Sequence, residues 1–89
     1  MNQPIDDLRE MLLAVTRSLV DHPDNLRIDS VCEDETVAFC VYAHSKDAGK
    51  LIGVNGRTAH ALRVILQANA VKLQRRMMLN ICPLTDDQS

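Results

Sequence analysis

Lys50-Leu51-Ile52-Gly53-Val54-Asn55-Gly56-Arg57-Thr58 contains two of the chain's three glycines, three residues apart. A glycine has no Cβ, so it reaches positive φ and lets another backbone come close. The residues on either side read as helices: Asp47 to Ile52, capped by Ser45 or Asp47, and Arg57 to Leu73. A phosphodiester placed at this bend would meet bare backbone N–H groups and the positive end of the following helix, a combination suited to an anion. Lys50, Arg57 and Arg63 add charge along the same edge. A bare G-x-x-G also serves as an ordinary helix-to-helix turn, so its surroundings decide its meaning.

Upstream, Ile5, Leu8, Leu12, Val15 and Leu19 recur at steps of three and four and predict one apolar helix face. Pro4 and the acids Asp6, Asp7 and Glu10 suit its opening turns, and Asp21-His22-Pro23-Asp24 supplies the stop. Two alternating runs follow. Leu26, Ile28 and Cys32 face one way in the first, Val37, Phe39, Val41 and Ala43 in the second, and Glu33-Asp34-Glu35 makes a tight turn between them. Downstream of the glycine bend, Met77, Leu79 and Ile81 alternate in a third run that closes at Pro83. The order is αββααβ. A hairpin is antiparallel, whereas strands joined by an αα crossover lie parallel with a right-handed connection. The expected architecture is therefore α+β: a three-stranded mixed sheet covered on one face by three helices.

Eighty-nine residues fit one domain, and with 46% hydrophobic residues but only Phe39 and Tyr42 as aromatic rings, its core is aliphatic. The net charge of −2 conceals a division along the chain. Residues 1 to 47 carry ten acids and four bases, a net −6, whereas residues 48 to 85 carry six bases and no acid. Local potential over a surface governs phosphate binding, so an acid-free half is the relevant feature. No apolar stretch approaches a membrane span. Cys32, Cys40 and Cys82 stand at no metal-ligand spacing, and an odd cysteine count without a leader segment fits a reducing cytoplasm.

The stretch from Asp47 to Arg63 resembles the D-x-G-K-x-I-G-x-x-G-R-T-A-x-A-[IL]-R signature of the small bacterial single-KH-domain proteins, the KhpA type, and the element order extends the resemblance to nearly the whole chain. The resemblance implies a type II KH domain over residues 1–85, followed by an acidic tail at 86–89. It implies cytoplasmic binding of single-stranded RNA by a homodimer, or by a heterodimer with another KH-domain protein, acting as an RNA chaperone or regulator without catalysis, cofactor or metal. About four nucleotides would lie in a groove between the two helices and the sheet edge. Gly53 and Gly56 would shape the clamp, with Val54 and Asn55 at its tip. Ile52 would contribute to the apolar floor, while Lys50, Arg57 and Arg63 would line the backbone path. Many relatives carry a basic residue inside the loop, and its absence here removes roughly one phosphate contact. Lys72, Arg75 and Arg76, across the groove, would compensate.

His60, Arg63 and Gln67 form a narrow polar stripe on an otherwise apolar helix, which reads either as a self-association surface or as a helix buried in the monomer. A protein-interaction module with a degenerate KH loop is the alternative function. The three histidines fall in separate elements without a carboxylate at ligand spacing, which points to surface or turn roles. Lys46 reads as a partner for Asp47, and Cys32 and Cys40 as residues of the core or its rim.

Overall fold

The computed structural model describes residues 3–84; the acidic tail lies outside the described residues. Helix α1 spans Gln3–Leu19, strands β1 and β2 span Arg27–Glu33 and Thr36–His44, helices α2 and α3 span Ser45–Ile52 and Arg57–Leu73, and β3 spans Arg76–Leu84. This is the expected αββααβ order. The sheet runs β1-β2-β3, with β1 antiparallel to β2 from Arg27↔Tyr42 to Glu33↔Thr36. Strand β3 is parallel to β2 from Thr36↔Arg76 to His44↔Leu84. All three helices contribute side chains to the core on one face of the sheet, giving the type II KH arrangement.

The core forms where the two periodicities meet. Val37, Phe39, Val41 and Ala43 alternate inward on the central strand and are buried, as are Met77 and Leu79 on β3. Against them pack Leu51 of α2 and Leu62, Leu66 and Ala70 of α3. Phe39 is the largest fully buried side chain. Cys40 lies half-buried among the outward-facing residues of β2, and Cys32 is exposed, so neither belongs to this core.

Helix α1 departs from its expected face. Ile5, Leu8 and Leu12 are buried, but the fourth buried residue is Thr16, while Val15 and Leu19 are exposed. A buried hydroxyl is tolerated when hydrogen-bonded, and Thr16 Oγ1 donates to the Leu12 carbonyl at 2.7 Å. Helix α2 is capped neither by Ser45 nor by Asp47. The His44 ring accepts the Lys46 backbone N–H at 3.1 Å, and Asp47 is buried.

Strand β3 continues one residue beyond Pro83 because of its pairing parity. The Leu79 carbonyl accepts from Arg63 and the Met77 carbonyl from Gln67, so the odd-numbered residues turn their backbone groups away from β2. Pro83 shares that parity, and its missing N–H removes no ladder bond.

Candidate nucleic-acid interface

Three of the four residues in the bend between α2 and α3 have positive φ. Gly53 has φ 82° and ψ 174°, Asn55 φ 55°, and Gly56 φ 74°. The two glycines are required for different reasons. A Cβ on Gly53 would overlap Thr58 Oγ1 and lie 2.8 Å from the Thr58 backbone nitrogen, whereas a Cβ on Gly56 would meet open space and only the torsion excludes it. Asparagine is among the few other residues that accept the left-handed region.

Three amides of the bend are already engaged. Gly53 N–H donates to the Gly49 carbonyl at 2.9 Å, Gly56 N–H to the Gly53 carbonyl at 3.1 Å, and Arg57 N–H to the Val54 carbonyl. The amides of Val54 and Asn55 enter none of these bonds. They sit on exposed residues of the short turn that leads into a 17-residue helix, and Val54 is 76% exposed. The backbone N–H groups that these bonds leave open therefore belong to the tip of the bend and not to its glycines.

Below the bend, Asp47 fixes α2 to the segment that follows α1. Its carboxylate accepts the backbone N–H of Asp21 at 3.1 Å and of His22 at 2.9 Å, and its Oδ2 lies 3.0 Å from His22 Nδ1. Burial pushes this carboxyl up, but the two backbone donors and the His22 ring outweigh it and hold it below the ordinary carboxylate range. The His22 ring stacks on His44 with centroids 4.2 Å apart, so two histidines expected to stand apart share one site. Among the described residues no group of three or more His, Cys, Asp or Glu could hold a metal ion. The partners of Asp47 are His22 and Lys50, not Lys46.

Lys50 is not a free cation. Its ammonium bonds the Asp21 carboxylate and lies 3.8 Å from Asp47. The hydrogen bond to Asp21 raises its pKa above the ordinary lysine value. Lys50, Gly53 and Val54 line a hollow of about 610 Å³ on the α1 side of the bend, together with Leu19, Gly49 and Thr58. Leu19 and Thr58 were not expected here. Leu19 is legible only as the last residue of the α1 stripe, and nothing in its spacing points to the bend.

On the other side, α3 runs beside the free edge of β3. Arg63 and Gln67 share a helix face with His60, and their bonds to the Leu79 and Met77 carbonyls at 3.2 and 3.1 Å turn that face toward the strand edge. Arg63 is thus tied to the sheet while its side chain stays exposed. At the far end a hollow of about 540 Å³ is lined by Gln67, Val71, Arg75, Arg76 and Met77, with Glu35 beside them. Lys50, Ile52, Gly53, Val54, Asn55, Gly56 and Arg57 therefore gather at the bend. Arg75 and Arg76 lie beyond the opposite end of α3, about 25 Å of helix away.

The KhpA/KhpB KH domain family matches residues 9–81. The chain belongs to that family. This KH domain is 36% identical over 74 residues to an RNA-binding protein KhpA of Halalkalibacterium halodurans, covering 83% of the chain and 97% of the relative. It is 34% identical to an RNA-binding protein KhpA of Bacillus subtilis, covering 83% and 91%, and 32% identical to one of Clostridium acetobutylicum, covering 83% and 99%. No solved structure matches the chain. Among the described residues no helix is long and apolar enough to cross a membrane.

Proposed function

We propose that this KH domain binds single-stranded RNA without catalysis, clamping the sugar-phosphate strand at the tip of the Gly53–Gly56 bend. The observation that carries this reading is the pair of amides on the exposed residues Val54 and Asn55, left out of the turn's hydrogen bonds just before α3. The relatives' description as RNA-binding proteins supports it. Phosphate oxygens accept from the two tip amides, and Arg57, exposed at the first position of α3, adds charge. Bases lie over half-exposed Ile52 and along the β3 edge toward Arg63. Arg75 and Arg76 receive the strand only if it extends the length of α3. With no ring at the bend, bases rest on aliphatic side chains and sequence preference is mild.

The domain works as a homodimer, or beside a second KH-domain protein, as a cytoplasmic RNA chaperone or regulator. The exposed apolar residues of α3 support such pairing: Val64 is 52%, Ile65 42% and Val71 82% exposed. The same surface favours the second reading, a protein-interaction module with little RNA affinity.

Polarisation titration with short RNAs separates the two. Replacing Val54 and Asn55 by Asp places carboxylates where phosphates would sit, and binding is expected to fall more than about tenfold in a folded protein. Unchanged affinity overturns the clamp. With Lys50 paired to Asp21, Arg57 and Arg63 neutralise about two phosphates, and a log-log salt slope of roughly −1.4 is expected.

A further inference from the structure

Two acids compete for one ammonium beside the bend. Asp47 is buried and already holds three hydrogen bonds from the Asp21 and His22 backbones and the His22 ring. Asp21 differs: its backbone N–H serves Asp47, but its carboxylate reaches outward to Lys50 and is 70% exposed. The side chain of Asp21 therefore contributes little to holding the segment after α1, a task its backbone performs. Its ion pair does take the one lysine that shares a hollow with Gly53 and Val54.

We infer that Asp21 is an internal competitor for phosphate, occupying Lys50 until an RNA strand displaces it and so setting how tightly the domain holds RNA. This deepens the RNA-binding reading and rests on it. When a phosphate takes the ammonium, the Asp21–Lys50 pair breaks and the carboxylate returns to water. The exchange is nearly neutral in counterions. The phosphate releases a cation from the RNA, while the freed carboxylate gathers one. Lys50 consequently adds almost nothing to the salt dependence of binding in the natural chain, although it stands at the site.

The test uses the full chain and a short, labelled single-stranded RNA of mixed sequence, titrated over a range of salt concentrations. Asp21→Asn keeps the backbone donor to Asp47, so its melting temperature stays near that of the natural chain. It binds RNA about two- to fivefold more tightly, the worth of one exposed ion pair. Its log-log salt slope steepens by up to about 0.7, because Asp47, held by its three other donors, is the one acid still paired with Lys50. Lys50→Gln removes both gains in the Asp21→Asn background and costs less than about twofold in the natural one. Equal salt slopes with and without Asp21, or equal losses from Lys50→Gln in both backgrounds, overturn the inference. Should Asp21→Asn melt markedly earlier, Asp21→Ser, which keeps the same backbone donor to Asp47, decides: tighter binding that Lys50→Gln abolishes upholds the competitor, and unchanged affinity overturns it. Failure of the folded natural chain to bind any RNA overturns the RNA reading itself. Binding with failed Lys50 tests removes this inference alone.

Discussion

The Asp47 carboxylate accepts the His22 backbone N–H at 2.9 Å, joining residues 25 apart in sequence and fastening the segment after α1 to the first turn of α2. Because α2 ends at the glycine bend, this bond helps set where the bend is presented. Asp47→Asn can reproduce only part of the acceptor set and leaves a part-buried donor unmatched. It is expected to destabilise the fold by about 2 kcal/mol, measured by urea denaturation. RNA affinity should fall in proportion to loosening of the bend.

The same carboxyl gives the fold an acid limit. Its folded pKa is depressed, so its stabilising contribution is complete above the unfolded carboxylate value of about 3.9. That contribution disappears as pH falls through the lower, folded value. Denaturation midpoints of the natural chain and Asp47→Asn should differ by a constant amount near neutrality and converge below about pH 4. A gap that persists in acid would assign the loss to packing instead of charge.

The two glycines should respond unequally to alanine. At Gly56 only the left-handed torsion is penalised, about 1 kcal/mol. At Gly53 the backbone occupies a region nearly exclusive to glycine, and the new methyl overlaps Thr58, so the cost is about 3 kcal/mol or more. Thermal melts of the two variants measure the order, and an additional Thr58→Ala change should recover part of the Gly53→Ala loss.

Helix α3 offers a comparison within one element. Leu66 is 1% exposed and Val71 82% exposed, so Leu66→Asp should unfold the domain while Val71→Asp leaves it folded. Sedimentation of the folded Val71→Asp and Val64→Asp variants reads the association state. A shift toward monomer in either identifies this apolar surface as the contact between copies.

Local signals made much of the architecture legible. Alternation in β2 and β3 identified the inward residues, and the glycine spacing located the bend, because positive φ is a requirement of single residues. What remained hidden depends on contacts distant in sequence. Thr16 looks like a surface residue until its hydroxyl is seen bonded one turn back. The burial of Asp47 depends on amides 25 and 26 residues away, and the pairing of Lys50 with Asp21 spans 29. Arg63 counted as a free cation on the helix pattern alone, since nothing local reveals a strand carbonyl beside it.

The side chains of Arg63 and Gln67 also bear on how this small protein behaves when crowded. They occupy carbonyls on one margin of the sheet, whereas among the described residues no side-chain donor covers a carbonyl of β1 at the other. An open margin invites strand addition, and endless addition needs two of them. With carbonyls on one side occupied, strand addition through β1 is expected to stop at a pair, and light scattering of the concentrated protein should show no growth into fibres.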